Sequence, residues 1–169
     1  GEIYNYRELR EGLLARGHRP RTASDIETIA HLYEERGELA ARELVGMFAF
    51  ALLDHRGRPP GAGPRVVLGR DPIGVKPLYF AFTGEALLWA SEAKAILASG
   101  LVPRRLRASA LLDYLVGGYV PGPGSAWEGI EKLPPGCVLT WEPGDAPRVT
   151  RYWDLPTEGL REPARPGEV

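Results

Sequence analysis

Along the first forty residues the apolar positions recur every three or four. Tyr6, Leu9, Leu13 and Leu14 share one helical face, and Gly17 stands where that helix should end. In "SDIETIAHLYEERG" Ser24 is an N-cap candidate with Glu27 three residues on, the spacing of a capping box. Ile26, Ile29, Ala30 and Tyr33 form the predicted apolar stripe of this second helix, and Gly37 closes it. The period then changes. "MFAFALLD" (47–54) is a short apolar run with little polar interruption, which predicts a strand buried on both faces. The turn-rich "HRGRPPGAGP" joins it to "RVVLGRD", its predicted hairpin partner. "PLYFAF" and "ALLWAS" are two more strands around Thr83-Gly84. "SEAKAILASG" predicts a short helix capped by Ser91, and another helix covers about 109–116. "GCVLTWE" and "RVTRYWDL" supply the last strands. Tight turns between strands and irregularly placed helices argue for antiparallel sheet with segregated helices, an α+β fold.

Composition narrows the setting more than the chemistry. The 169 residues, 44% hydrophobic and 25% charged, fit one globular domain. After Pro156 the chain is charged, with Pro163 and Pro166 and little to bury, so the domain is expected over 1–156 and a linker over 157–169. Lys+Arg 21 against Asp+Glu 22 gives a net charge of −1, which offers nothing to a nucleic-acid partner. One cysteine, Cys137, excludes an internal disulfide framework and suits a reducing, cytoplasmic setting. No run approaches the roughly 20 apolar residues of a membrane span, and no signal-peptide pattern is present. His18, His31 and His55 are scattered, without metal-ligand spacing, so no metal site is expected.

Few residues offer chemistry by themselves. The Gly-rich stretches "GRPPGAGPR" and "GGYVPGPGS" carry Pro where phosphate-binding N–H groups would be wanted, and neither ends in GK[ST]. They read as structural loops. A catalytic Cys needs a helix N-terminus or cation and a base in reach, whereas Cys137 follows Pro-Pro-Gly into an apolar strand, so it reads as a core or edge-strand thiol and not as a nucleophile. Asp25 falls in the first turn of a helix, where a carboxylate sits well against the dipole; it is either helix decoration or, with Glu2, a grip for a ligand ammonium. "RDPIGVKP" puts charges and loop-forming Gly and Pro between two strands, and on its own asks for no more than a salt-bridged turn.

Taken in order, "GEIYNYRELREGL", "SDIETIAHLYEERG", "LVGMFAFALLD", "GRDPIGVKPLYF", "WASEAKAIL", "LLDYLVGGYVPGPGSAWEGIEKLPPG" and "RYWDLP" resemble the N-terminal glutaminase domain of glutamine-hydrolysing asparagine synthetases. The resemblance covers about residues 1–156. It implies an N-terminal-nucleophile hydrolase fold, an α/β/β/α sandwich of antiparallel sheets. It also implies a mechanism in which an N-terminal Cys, its own α-amino group serving as base, attacks the glutamine side-chain amide. By resemblance Gly1 matches the oxyanion-hole glycine, Glu2 the neighbouring acidic residue that helps hold glutamine, and Asp25 the carboxylate that holds the substrate α-amino group.

The same resemblance places the nucleophilic Cys, the oxyanion Asn and a carboxylate-binding Arg ahead of Gly1. The expectation is therefore a domain incomplete at its front strands and inactive as this polypeptide alone, with strand edges and an apolar face left exposed. The implied partners are L-glutamine and a C-terminal synthetase domain that uses ATP and Mg²⁺ to convert aspartate to asparagine; no cofactor is expected in this chain, and a homodimer is admissible. An acceptor other than aspartate, or a non-catalytic glutamine-binding or scaffold domain, are the other readings.

Overall fold

The computed structural model describes residues 1–156. Nine strands and four helices follow in the order β1 (Glu2–Ile3), α1 (Tyr6–Ala15), α2 (Asp25–Arg36), β2 (Gly46–Met47), β3 (Ala49–Asp54), β4 (Arg65–Arg70), β5 (Tyr79–Phe82), β6 (Leu87–Ala90), α3 (Ala93–Ala98), α4 (Ala108–Gly117), β7 (Glu131–Lys132), β8 (Cys137–Trp141) and β9 (Arg148–Arg151). A 3₁₀ segment, Gly37–Glu43, links α2 to β2. Every strand pair is antiparallel. The sheets are a β1–β2 pair, a four-stranded sheet ordered β3–β4–β8–β9 and a three-stranded sheet ordered β6–β5–β7.

Strand alternation builds the layers. On one face of the four-stranded sheet, Val66, Leu68, Cys137 and Leu139 pack against Leu78, Phe80, Leu87 and Leu133 around the three-stranded sheet. Their neighbours Val67 and Val138 point the other way, into a core with Leu13 of α1 and Ile29 and Leu32 of α2. The far face of the three-stranded sheet gives Ala81 and half-buried Tyr79, Leu88 and Ala90 to Ile96 and Leu97 of α3. Three apolar seams thus separate four layers: helices, sheet, sheet, helix. This is the expected α/β/β/α sandwich, and both predicted hairpins, β3–β4 and β5–β6, are present.

Several local readings are corrected. The stripe of α2 is Thr28, Ile29, Leu32 and Tyr33, whereas Ile26 is 71% exposed. Packing on α1 and the 3₁₀ segment turns the helix so that position 26 lies beside the core and not in it. Ser24 does cap α2, accepting from Ile26 N at 3.3 Å. The capping box is not closed, because Glu27 reaches backward to accept from Arg21 N, Thr22 N and the Thr22 hydroxyl. Those bonds, led by the Thr22 hydroxyl, hold its carboxyl down at about 2.

The apolar run 47–54 is divided at Phe48, and β3 is an edge strand with Ala51 and Leu53 exposed, not a strand buried on both faces. Ser91 does not cap α3; Glu92 holds that position with no side-chain bond. The expected linker, 157–169, lies outside the described residues.

Candidate active site

Gly1, Glu2 and Asp25 are brought together by two devices. In the first, β1 pairs with β2, Glu2 opposite Met47 and Ile3 opposite Gly46. Tyr4 N extends the contact to Val45 O at 2.7 Å, and the Asn5 amide clips the same loop, donating to Glu43 O at 2.9 Å and accepting from Val45 N at 3.0 Å. In the second, the Asp25 carboxylate, at the first residue of α2, accepts from Ile3 N at 3.0 Å. One hydrogen bond therefore fixes β1 to the start of a capped helix 22 residues away.

The approach of β1 to β2 depends on glycine. Gly46 has φ 153°, and a Cβ there would lie 2.1 Å from Glu2 O. Gly1 is similarly close, since its Cβ would meet Met47 O at 2.9 Å. All three predicted residues line one cavity of about 260 Å³, together with Ile26, Ile29, Phe48 and Phe50. Pockets for drug-sized ligands run to roughly 300–1,000 Å³, so this smaller space suits something of amino-acid size. A larger hollow of about 400 Å³ runs along Arg65, Glu142 and Arg148. Several of its charges are matched to one another, Arg65 and Arg148 to Glu38 and Arg58 to Glu142, and none of the three predicted residues lines it.

"RDPIGVKP" is a buttress, not a salt-bridged turn. Asp71 is buried and its carboxylate accepts two backbone donors, Val75 N at 2.8 Å and Lys76 N at 2.9 Å. Arg70 spends its guanidinium on three carbonyls, Gly74, Lys76 and Leu133, and desolvation pulls its pKa below the ordinary value. Tyr152 donates its hydroxyl to Arg70 O at 2.7 Å; burial raises that phenol strongly. Asp71 N donates to Phe48 O at 2.9 Å, so the whole loop supports the floor of the cavity. Sequence reasoning missed this role. The clue was the packing of Asp, Gly and Pro into one short turn, which favours side-chain-to-backbone bonds over ion pairs.

Residues 1–153 match the glutamine amidotransferase domain family. The chain belongs to that family. This glutamine amidotransferase domain is 35% identical over 159 residues to asparagine synthetase (glutamine-hydrolysing) 3 of Bacillus subtilis strain 168, covering 94% of this chain and 25% of the relative. It is 48% identical over 97 residues to asparagine synthetase (glutamine-hydrolysing) 3 of Arabidopsis thaliana, covering 57% of this chain and 15% of that one. The chain thus spans a quarter or less of the length of these relatives. Among solved structures it resembles glutamine phosphoribosylpyrophosphate amidotransferase from B. subtilis, with a TM-score of 0.56, 20% identity, 89% coverage of this chain and 27% of the other. At that identity the likeness speaks for the N-terminal-nucleophile hydrolase fold alone.

Cys137, the one thiol of these 169 residues, lies in β8 and is only 3% exposed. It faces the seam between the sheets and does not line the cavity around Asp25, and burial pushes its pKa up. A nucleophile needs the reverse: access and a lowered pKa.

Proposed function

We propose that this domain binds L-glutamine in the Gly1–Glu2–Asp25 cavity and hydrolyses it to glutamate and ammonia. The observation that carries the reading is the convergence on one amino-acid-sized cavity of the three residues that the family resemblance assigns to glutamine. Asp25 keeps one carboxylate oxygen on Ile3 N and offers its remaining acceptor capacity to the substrate ammonium, with Glu2 adding a second negative charge. The Gly1 position supplies a backbone N–H to the oxyanion formed when the side-chain carbonyl is attacked. The nucleophile is an N-terminal Cys contributed from outside these 169 residues. Its thiolate adds to the amide carbon, the C–N bond breaks as ammonia leaves with a proton, and water cleaves the resulting thioester.

Ammonia released here serves an ATP-dependent synthetase portion of the same protein, with aspartate as the favoured acceptor. The described residues do not fit ATP: the Gly-rich loops at 57–65 and 117–125 carry Pro and end in no phosphate-cradling helix, so no ATP or Mg²⁺ contact is assigned to this chain. No helix among the described residues is long and apolar enough to cross a membrane, and the reading places the protein in the cytoplasm.

Packing of the synthetase portion accounts for an otherwise costly surface. Leu111, Leu112, Leu115 and Val116 of α4 are all exposed, and only Ala110 of that helix is buried. With three quarters of the B. subtilis relative lying beyond this match, α4 is where we dock that remainder. Leu115→Asp with Val116→Asp should sever glutamine-dependent amide synthesis in the full-length protein while glutamine hydrolysis persists. Unchanged coupling of the two would show that α4 faces something else.

Incubating the full-length protein with glutamine should release glutamate and ammonia in equal amounts. Cys137→Ala should hydrolyse glutamine at the parental rate, at a stability cost of about 1 kcal/mol for the lost buried volume. Binding of glutamine without hydrolysis would replace the proposal by a non-catalytic glutamine-binding domain.

A further inference from the structure

The fold unites two histidines that the sequence keeps 13 positions apart. His18 follows Gly17 at the end of α1, and His31 lies on α2; packing of the two helices puts His18 Nδ1 3.2 Å from His31 Nδ1. Glu34, one turn beyond His31, brings Oε2 to 3.3 Å from His31 Nδ1 and 3.5 Å from His18 Nδ1. Three potential ligand atoms therefore form a nearly equilateral triangle with sides of 3.2, 3.3 and 3.5 Å. Ligands held tetrahedrally at about 2.0–2.1 Å from a zinc ion stand roughly 3.3–3.4 Å from one another. The triangle already has that size.

A further carboxylate stands behind the triangle. Glu35 Oε1 sits 2.9 Å from His18 Nε2 and also accepts from Arg16 Nε at 2.7 Å. With Nε2 turned to Glu35, the other ring nitrogen of His18, Nδ1, is the one that faces the triangle. His31 faces the same way, with Nε2 3.7 Å from Glu27 Oε1 on its far side. His18 thus has an outer carboxylate at hydrogen-bond distance behind the nitrogen that is not in the triangle, the arrangement that orients metal-binding histidines, while Glu27 stands beyond that distance from His31. Both imidazoles are largely buried, while the Glu34 side chain is 47% exposed and leaves the site open to solvent for a fourth ligand.

We propose that His18, His31 and Glu34 bind a divalent transition-metal cation of the zinc class, with water completing the coordination. Two imidazole nitrogens and one carboxylate match the borderline character of Zn²⁺ and disfavour Mg²⁺ or Ca²⁺, which prefer all-oxygen shells. The ion ties the end of α1 to α2, the helix whose first residue is Asp25. It lies apart from the cavity around Gly1 and Asp25, so the inference does not depend on glutamine as ligand.

Titrating untagged, metal-free full-length protein with Zn²⁺ against a chromophoric chelator tests it. One equivalent should bind, and zinc should raise the unfolding temperature. His31→Gln and the exposed-site variant Glu34→Ala should each lose both effects. Glu35→Gln, which spares the three ligands, should weaken binding by roughly 10–100-fold, as expected for an outer-shell partner. Co²⁺ should give the visible absorption of a low-coordinate nitrogen–oxygen site. Failure of the wild-type protein to bind an equivalent of zinc, or binding that survives both ligand variants undiminished, overturns the proposal. Retention of fold by Glu34→Ala, checked by circular dichroism, keeps its loss of binding interpretable even if His31→Gln unfolds.

Discussion

Asp25→Asn in the full-length protein should raise the KM for glutamine by roughly ten- to a hundredfold and leave stability within about 0.5 kcal/mol of the parent. A hydrogen bond to a charged group contributes about 1.5–3 kcal/mol, and each 1.4 kcal/mol is tenfold in affinity. The substitution is chosen to divide the two duties of this carboxylate. Asn retains an oxygen that can accept from Ile3 N, the bond that holds β1 on α2, but it has no charge to offer a substrate ammonium. Asp25→Ala removes both and should lose stability as well. Steady-state kinetics and urea unfolding on the pair of variants separate the outcomes. An unchanged KM in Asp25→Asn would reduce Asp25 to a strap for β1, and glutamine would then have to be held elsewhere.

The parts of this fold that were legible in the sequence are those where one periodicity decides the structure. The hairpins β3–β4 and β5–β6 came from apolar runs interrupted by turn residues, and α1 from helical spacing. Errors arose where tertiary contacts override the local pattern. Ile26 has the right spacing for the stripe of α2, yet the core takes Leu32, because the neighbours of α2 choose which face is buried. Glu27 sits at capping-box spacing but is drawn off by donors at Arg21 and Thr22 in the loop before the helix. The pairing of His18 with His31 depends on how α1 meets α2, which no spacing rule encodes. Asp25 stood between two readings at the sequence level for the same reason: the donor it binds, Ile3 N, is distant along the chain.

The small strands β1 and β2 were also illegible, since two-residue strands carry no pattern, yet the site hangs on them. Gly46→Ala should therefore be the most damaging small substitution near the cavity. Its φ of 153° is one that L-residues rarely adopt, and its Cβ would sit 2.1 Å from Glu2 O. The obstacle is a backbone carbonyl, which no rotamer change can clear, so β1 must move off β2. Ile3, 2% exposed, then leaves the core that it shares with Leu13, Ile29 and Phe48. Partial loss of that burial and backbone strain together should cost about 2–4 kcal/mol.

Gly57→Ala provides the control. Gly57 also has positive φ, 66°, but its Cβ would meet nothing within 4 Å, so the expected cost is only the roughly 1–2 kcal/mol of a left-handed non-glycine residue. Glutamine hydrolysis by the full-length protein should collapse in Gly46→Ala and survive in Gly57→Ala, because only the former displaces Gly1 and Glu2 relative to Asp25. Equal unfolding midpoints and equal activities for the two variants would mean that β1 can shift without consequence. The Gly1–Glu2–Asp25 cavity would then not be the place where glutamine is held.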